Sequence, residues 1–155
     1  MNKEELMRRA IALSEKSVMI GGGPFGAVIA KDGAVIAEAS NSVTIDYDPT
    51  AHAEVNAIRN ACARLRTFDL GGCEIYCSCE PCPMCLGAIY WAHLDTIYYA
   101  NDRKAAAGIG FDDDFIYQEI DSPFDNRQLP IKLLLPEEGQ KAFDMWRNKT
   151  DKTEY

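Results

Sequence analysis

The spacing of apolar and polar positions predicts how the chain begins. From Glu4 to about Met19, apolar residues recur at near-helical intervals, which predicts a first helix. The glycines and proline of "GGGPFG" then end this helix. Next, "FGAVIAKDGAVIAEAS" places two apolar, β-branched runs on either side of an Asp-Gly pair, a strong signal for a tight turn. The sequence therefore predicts a helix followed by a β-hairpin.

The rest of the chain alternates between extended and helical patterns. "DPTAHAEVNAIRNACARLR" predicts a helix with Thr50 as its N-cap. "CEIYCS", "DTIYYA" and "PIKLLL" predict strands. Further helices are predicted in "PCPMCLGAIYWAH", "NDRKAAAG", "DDDFIYQEI" and "PEEGQKAFDMWRN". Strands alternating with helices indicate a three-layer α/β/α domain with the antiparallel hairpin at one end of its sheet.

Length and composition favour one globular domain over residues 1–155. The chain is 47% hydrophobic, which is enough for a core without disulfides. Its charged start lacks the apolar stretch of a signal peptide, and the charge-free run around the cysteines is too short to cross a bilayer. We therefore expect a cytoplasmic protein without a membrane partner. There the six cysteines stay reduced, as core residues, ligands or catalysts.

Net charge bears on the class of partner. The chain has 24 acidic and 16 basic residues, a formal net charge of −8. Proteins that bind nucleic acid neutralise phosphates with Lys and Arg, and no run of basic residues here is longer than a pair such as that in "MRRA". A local basic groove remains compatible with this balance, but we expect a small-molecule substrate and no nucleic acid.

The stretch "CSCEPCPMC" carries the candidate chemistry. Cys82 and Cys85 are three residues apart in the first turn of a predicted helix, so they share a face where unpaired N–H groups stabilise thiolates. Catalytic zinc takes three protein ligands and keeps a position for water. His52, at the start of another predicted helix, is the expected third ligand if both helices present the same ends at one sheet edge.

Glu54 gives this metal site a catalytic partner. It lies two residues after His52, and at a helix start both side chains can face a pocket beyond the helix end. A carboxylate beside a zinc-bound water can move its proton. The combination "HAE" and "PCPMC" fits H-x-E followed by P-C-x-x-C, the signature of zinc nucleobase deaminases.

Several simpler interpretations remain open at this point. His52 could be an ordinary capping or core residue, and Cys82 with Cys85 could be a redox pair. A closed structural zinc site with Cys77 or Cys79 as fourth ligand would leave Glu54 without a role. The cysteines outside the proposed site lie in apolar patterns and are expected to be core residues: Cys62, Cys73, Cys77 and Cys79.

Four blocks resemble the bacterial guanine deaminases of the cytidine deaminase-like family: "GGPFGAVIAKDGAVIAE", "DPTAHAEVNAIR", "CEPCPMCLGAIYWA" and "GFDDDFIYQEI". The resemblance runs from the first helix to the terminal Tyr155. It implies the zinc-dependent conversion of guanine and water to xanthine and ammonia. It also implies a mixed five-stranded sheet between helices, one zinc ion per subunit, and a homodimer that exchanges C-terminal segments, here about 140–155.

The same resemblance assigns roles to individual residues. His52, Cys82 and Cys85 would hold zinc, and Glu54 would shuttle protons. Asp113 would contact the guanine edge and take part in proton transfer, although the run "DDD" leaves its register open by one position. The other expected substrate contacts are Phe25, Asn41, Ala53, Trp91 and the lid residue Tyr155. Trp91 is equally compatible with packing.

Other functions share part of this pattern. A tRNA adenosine deaminase has the same fold and signature but would need a basic surface. A deaminase of cytosine, guanosine or another amino-heterocycle would differ only in its pocket. A non-catalytic binding module stabilised by zinc would have no use for Glu54.

Overall fold

Four strands form the sheet of the protein: β1 (Gly26–Lys31), β2 (Ala34–Ser40), β3 (Glu74–Cys79) and β4 (Thr96–Asn101). Their order across the sheet is β2-β1-β3-β4. The computed structural model describes all 155 residues and contains two compact units, Met1–Asp114 and Phe115–Tyr155. The sheet belongs to the first unit.

The directions of the strands bring three of their carboxyl ends to the same edge of the sheet. β1 pairs antiparallel with both β2 and β3, whereas β3 and β4 are parallel. It follows that β2, β3 and β4 run in one direction and that only β1 is reversed. The carboxyl ends of β2, β3 and β4 therefore meet the amino end of β1, and we call this side the carboxyl edge.

The chain also forms seven α-helices and one short 3₁₀ helix (Phe124–Asn126). The α-helices are α1 (Lys3–Met19), α2 (Val43–Asp46), α3 (Ala53–Leu65), α4 (Pro83–Trp91), α5 (Arg103–Ala107), α6 (Asp114–Asp121) and α7 (Pro136–Asn148). A capping box starts α1, because Asn2 accepts a hydrogen bond from the Glu5 N–H and Glu5 accepts one from the Asn2 N–H. No helix is both long and apolar enough to cross a membrane.

Helices cover both faces of the sheet, which confirms the three-layer prediction. On one face, Leu6 and Ala10 of α1 pack against Val28, Ala30 and Tyr76. The other face packs against α3 and α4 in a cluster that includes Ala27, Ile29, Ala53, Ala57, Ala61, Ile75, Cys77 and Ile89. The alanines let α3 approach the strands closely, and the alternation along β1 follows from the two-residue period of a strand.

Two predictions about secondary structure are wrong. The sheet has four strands rather than five, because "PIKLLL" is not a strand in this chain. Leu133 and Leu134 are 85% and 82% exposed, so an apolar run alone did not produce pairing with a neighbouring strand. The second error is the N-cap of α3, which is His52. Thr50 instead donates its N–H and hydroxyl to Asp48 Oδ1 in the preceding turn, at 2.8 and 2.7 Å.

Candidate active site

The carboxyl edge of the sheet gathers candidate residues that are far apart in sequence. Phe25 directly precedes β1, Asn41 directly follows β2, and Cys82 comes three residues after the end of β3. Asp113 follows β4 through α5. Since these strand ends share one edge, the strand directions bring the segments carrying these residues together. The edge therefore supplies the framework of the site.

Two helix starts provide the sulfur and nitrogen ligands. His52 is the N-cap of α3 and Cys82 is the N-cap of α4, and both have extended backbone conformations. Pro83 follows Cys82 at the first helical position, where its missing N–H carries no penalty. Cys85 lies in the first turn of α4 and is completely buried. The predicted convergence of the two helix ends is thus present in the structure.

The ligand atoms have the spacing that a tetrahedral zinc ion requires. His52 Nδ1 lies 3.5 Å from Cys82 Sγ and 3.5 Å from Cys85 Sγ, and all three atoms lie within 4.8 Å of one another. With ordinary Zn–S and Zn–N distances, a tetrahedral site separates nitrogen from sulfur by about 3.5 Å. Neither Cys77 nor Cys79 belongs to this cluster. Two thiolates and one imidazole therefore fit zinc and leave a fourth position free of protein sulfur.

The site favours ionised sulfur before any metal binds. A hydrogen bond with the Cys85 thiol holds the pKa of Cys82 well below its ordinary value, and His52 acts in the same direction. The same hydrogen bond raises the pKa of Cys85, so Cys82 ionises first. The hydrogen bond to Cys82 also raises the pKa of His52. A bound metal ion would replace the protons of these groups.

Glu54 lies directly against the ligand cluster. It is only 7% exposed, and its Oε2 lies 3.4 Å from Cys85 Sγ. Burial raises the pKa of Glu54 above its ordinary value, although the Cys85 thiol opposes this effect. Glu54 is thus a buried carboxyl group that holds a proton more readily than usual and lies against a candidate metal ligand. These are the properties of a proton carrier.

The three aspartates of "DDD" have separate environments. Asp112 Oδ1 accepts a hydrogen bond from the Asp114 N–H, and Asp114 forms an ion pair with Arg103 at 3.9 Å. Asp113 Oδ1 is instead buried without a hydrogen-bond partner. Burial raises the pKa of Asp113, and the negative charge of Cys82 contributes. Among the three aspartates, only Asp113 has a buried carboxylate oxygen without a hydrogen-bond partner.

Asn41, Phe25 and Ala53 lie around the same edge. Asn41 is 6% exposed, donates its N–H to the Phe25 carbonyl at 3.0 Å, and accepts from the Val43 N–H through Oδ1 at 3.1 Å. Phe25 packs edge-on against Phe111, with ring centroids 5.0 Å apart. Ala53, between His52 and Glu54, is fully buried.

Trp91 lies at the end of α4 that is farther from this cluster. Trp91 ends α4, nine residues after Cys82, so the helical rise separates their backbones by about 13 Å. Its side chain is 66% exposed. Tyr155 belongs to the second compact unit and is 74% exposed. The role of each residue stays a prediction.

Sequence reasoning missed two residues that organise the site. Phe111 supports Phe25, but only the folded chain brings these rings together. Asn56 ties α3 to the segments around Asn41 and His52 through three contacts of its side-chain amide. Its position two residues after Glu54 gave no signal of this role. The four cysteines expected to be core residues are free and buried or half-buried: Cys62, Cys73, Cys77 and Cys79.

Comparison with known families decides what kind of site this is. Residues 1–101 match the family described as the cytidine and deoxycytidylate deaminase zinc-binding region. The chain belongs to this zinc-dependent deaminase family. Its cofactor is zinc, and the cluster of His52, Cys82 and Cys85 is the candidate zinc site.

Individual relatives narrow the comparison within the family. The chain is 53% identical to guanine deaminase from Bacillus subtilis over 156 aligned residues, covering 100% of both proteins. It also matches the X-ray structure of a Bacillus subtilis guanine deaminase with a TM-score of 0.96, covering 100% of this chain and 99% of the other. A tRNA-specific adenosine deaminase from Aquifex aeolicus is 37% identical over 96% of each chain.

Proposed function

We propose that this chain hydrolyses guanine to xanthine and ammonia. The observation that carries the proposal is the 53% identity to a guanine deaminase along the full length of both proteins. The site supports it with a candidate zinc-ligand set, a buried carboxyl group against that set, and a second carboxylate with one buried oxygen that lacks a hydrogen-bond partner.

Glu54 is the proton carrier in this proposal. When bound by His52, Cys82 and Cys85, zinc supplies a Lewis acid that makes a water molecule acidic near neutral pH. Glu54 accepts a proton from that water. It donates this proton to the unprotonated ring nitrogen next to the carbon that bears the amine. Burial favours its protonated form between these two transfers. A second proton must reach the amine before it leaves as ammonia.

Asp113 provides selectivity for guanine. The N1–H and the 2-amino group of guanine are adjacent donors, and the unpartnered Oδ1 of Asp113 is an acceptor. Adenine carries an acceptor at N1, which would face the same carboxylate unfavourably. Pairing with guanine would also satisfy a buried polar atom that otherwise lacks a hydrogen bond.

Asn41 and Phe25 position the purine ring. The Oδ1 atom of Asn41 is already engaged by Val43, while its Nδ2 amide makes no hydrogen bond within the chain and can donate to a ring acceptor. Phe25, held by Phe111, offers an aromatic surface to a flat ring. Ala53 adds apolar surface between the zinc ligand and Glu54, and Tyr155 is the proposed lid.

A substrate panel tests this function. Zinc-loaded protein is incubated with guanine, guanosine, cytosine, adenine or tRNA, and released ammonia is measured. The proposal expects ammonia from guanine well above that from every other substrate. A protein that carries zinc but releases no ammonia from guanine would overturn it, and ammonia from none of the panel would favour a binding module.

A tRNA adenosine deaminase is the second candidate, favoured by the 37% identity to the Aquifex aeolicus protein. The net charge of −8 weighs against binding a polyanion. Preferential ammonia release from tRNA in the same panel would establish this alternative.

We further propose a cytoplasmic homodimer in which residues 1–155 act as one domain and the segment from about 140 is exchanged. Large apolar side chains of this segment are exposed in the single chain, including Phe143 at 70% and Met145 at 74%. A second copy is the partner that could cover them. Arg64 and Asn60 donate to carbonyl groups of β2 at one edge of the sheet, and β4 is the strand at the opposite edge. An open edge strand favours pairing with another segment.

A further inference from the structure

Asn56 connects the two parts of the site that must act on one substrate. It lies on α3, one turn after His52, whose carbonyl accepts the Asn56 N–H at 2.9 Å. Its side-chain Nδ2 donates to the Ser40 carbonyl and to Ser42 Oγ, both at 3.0 Å, and lies 3.3 Å from the Ala51 carbonyl. Ser40 and Ser42 flank Asn41, and Ala51 directly precedes His52.

A backbone hydrogen bond adds to the link that Asn56 makes with this segment. The Ser42 N–H donates to the Ala51 carbonyl at 2.9 Å, which joins the loop after β2 to the residue before His52. Asn41 itself is held from the other side, because its N–H donates to the Phe25 carbonyl and its carbonyl accepts from Ser17 Oγ. The amide of Asn56 thus sits at the junction between the Asn41 segment and the zinc-ligand helix.

We propose that Asn56 is a positioning residue that fixes the distance between the amide of Asn41 and the pair formed by zinc and Glu54. This inference rests on the proposed function, in which Asn41 orients the purine and Glu54 transfers the protons. One nitrogen with two protons can donate to acceptors on both sides of Asn41, whereas a hydroxyl has one proton and a carboxylate has none. Loss of the amide lets Asn41 shift relative to Glu54 while His52 remains in place.

Asn60 provides a matched control for the test. It lies one turn further along α3 and donates its own Nδ2 to the Glu38 carbonyl of β2, at 3.5 Å. Both asparagines therefore join the same helix to the β2 region, but only Asn56 reaches the residues around Asn41. Asn56→Ala and Asn60→Ala are compared at equal zinc content, each alone and combined with Asn41→Ala.

The kinetic result expected is a loss of at least ~10-fold in kcat/KM for guanine with Asn56→Ala, at unchanged zinc stoichiometry. Asn60→Ala should stay within about twofold of the wild type, as expected of a substitution outside the site. In the Asn41→Ala background the effect of Asn56→Ala should nearly vanish, because the residue acts through Asn41. An Asn56 effect equal to that of Asn60, or one that persists without Asn41, would overturn the inference. If Asn56→Ala does not fold, Asn56→Ser is judged by the same criteria.

Hydrogen exchange provides a readout that does not depend on activity. Asn56→Ala should speed exchange at the backbone N–H groups of Ser42 and Val43, and Asn60→Ala should not. A wild-type protein without activity on guanine would defeat the proposed function alone. Unchanged exchange at Ser42 and Val43 would defeat the role of Asn56, whatever the substrate.

Discussion

The Oε2 atom of Glu54 lies 3.4 Å from the Sγ atom of Cys85, so the buried carboxyl group touches the zinc-ligand set itself. Glu54 belongs to α3 and Cys85 to α4, two helices that begin at the same edge of the sheet. The proposed role of Glu54 as proton carrier requires this contact, whereas a structural metal site needs no carboxylate there.

Glu54→Gln should keep zinc and lose at least ~10²-fold in turnover of guanine, the contribution of a well-placed general acid–base. The amide keeps the shape of the side chain but cannot carry a proton between water and the purine. Steady-state kinetics and metal analysis of the same sample test this. Glu15→Gln on the exposed part of α1 is the control, and near-normal turnover in Glu54→Gln would exclude its proton role.

Zinc bound to the protein should have two sulfur neighbours at about 2.3 Å and lighter nitrogen or oxygen neighbours at about 2.0–2.1 Å. X-ray absorption at the zinc edge measures this directly. Cys85→Ala should lose the metal, whereas Cys62→Ala, on α3 and outside the cluster, should retain it. Three or four sulfur neighbours in the wild type would instead indicate a site closed by Cys77 or Cys79.

Asp113→Asn should lower kcat/KM for guanine by at least ~10-fold, since a charged hydrogen-bond acceptor to two substrate donors is replaced by a neutral amide. Asp112→Asn and Asp114→Asn are the matched controls from the same run of aspartates. Their carboxylates already have a backbone or arginine partner. If the largest loss falls on Asp112 or Asp114, the assignment of the substrate carboxylate is wrong.

The sequence predicted that the candidate zinc ligands would meet, because their spacing along the chain reflects local structure. Cys82 and Cys85 share a helix start, and His-x-Glu needs only one turn of another helix. The prediction for Thr50 failed because its local partner, Asp48, competed for it, so His52 became the N-cap. Trp91 was placed near the site by sequence distance, but α4 carries it away from Cys82.

Longer-range features could not be predicted in the same way. The apolar run "PIKLLL" has the composition of a strand, but pairing depends on a neighbouring edge that composition does not supply. The junction formed by Asn56 depends on where β2 ends relative to α3. Among the three adjacent aspartates, only burial in the folded chain distinguishes Asp113.

Exchange of the C-terminal segment makes a prediction about mixed dimers. Glu54→Gln and Tyr155→Ala should each be impaired alone, the first in proton transfer and the second in the lid. In an exchanged hybrid dimer, one site combines an intact Glu54 from one chain with an intact Tyr155 from the other. Co-refolding the two variants should therefore restore activity above either parent. Without exchange, every site keeps one defect, and dimeric mixtures without any gain would contradict the proposal.

The most direct test of hydrolytic deamination is the origin of the oxygen atom in the product. Zinc-loaded protein is incubated with guanine in ¹⁸O-labelled water, and the xanthine is analysed by mass spectrometry against a Glu54→Gln sample. The account predicts xanthine with one oxygen atom from solvent, together with one ammonia per xanthine, and very little of either from the variant. Intact guanine, or xanthine without the label, would contradict it.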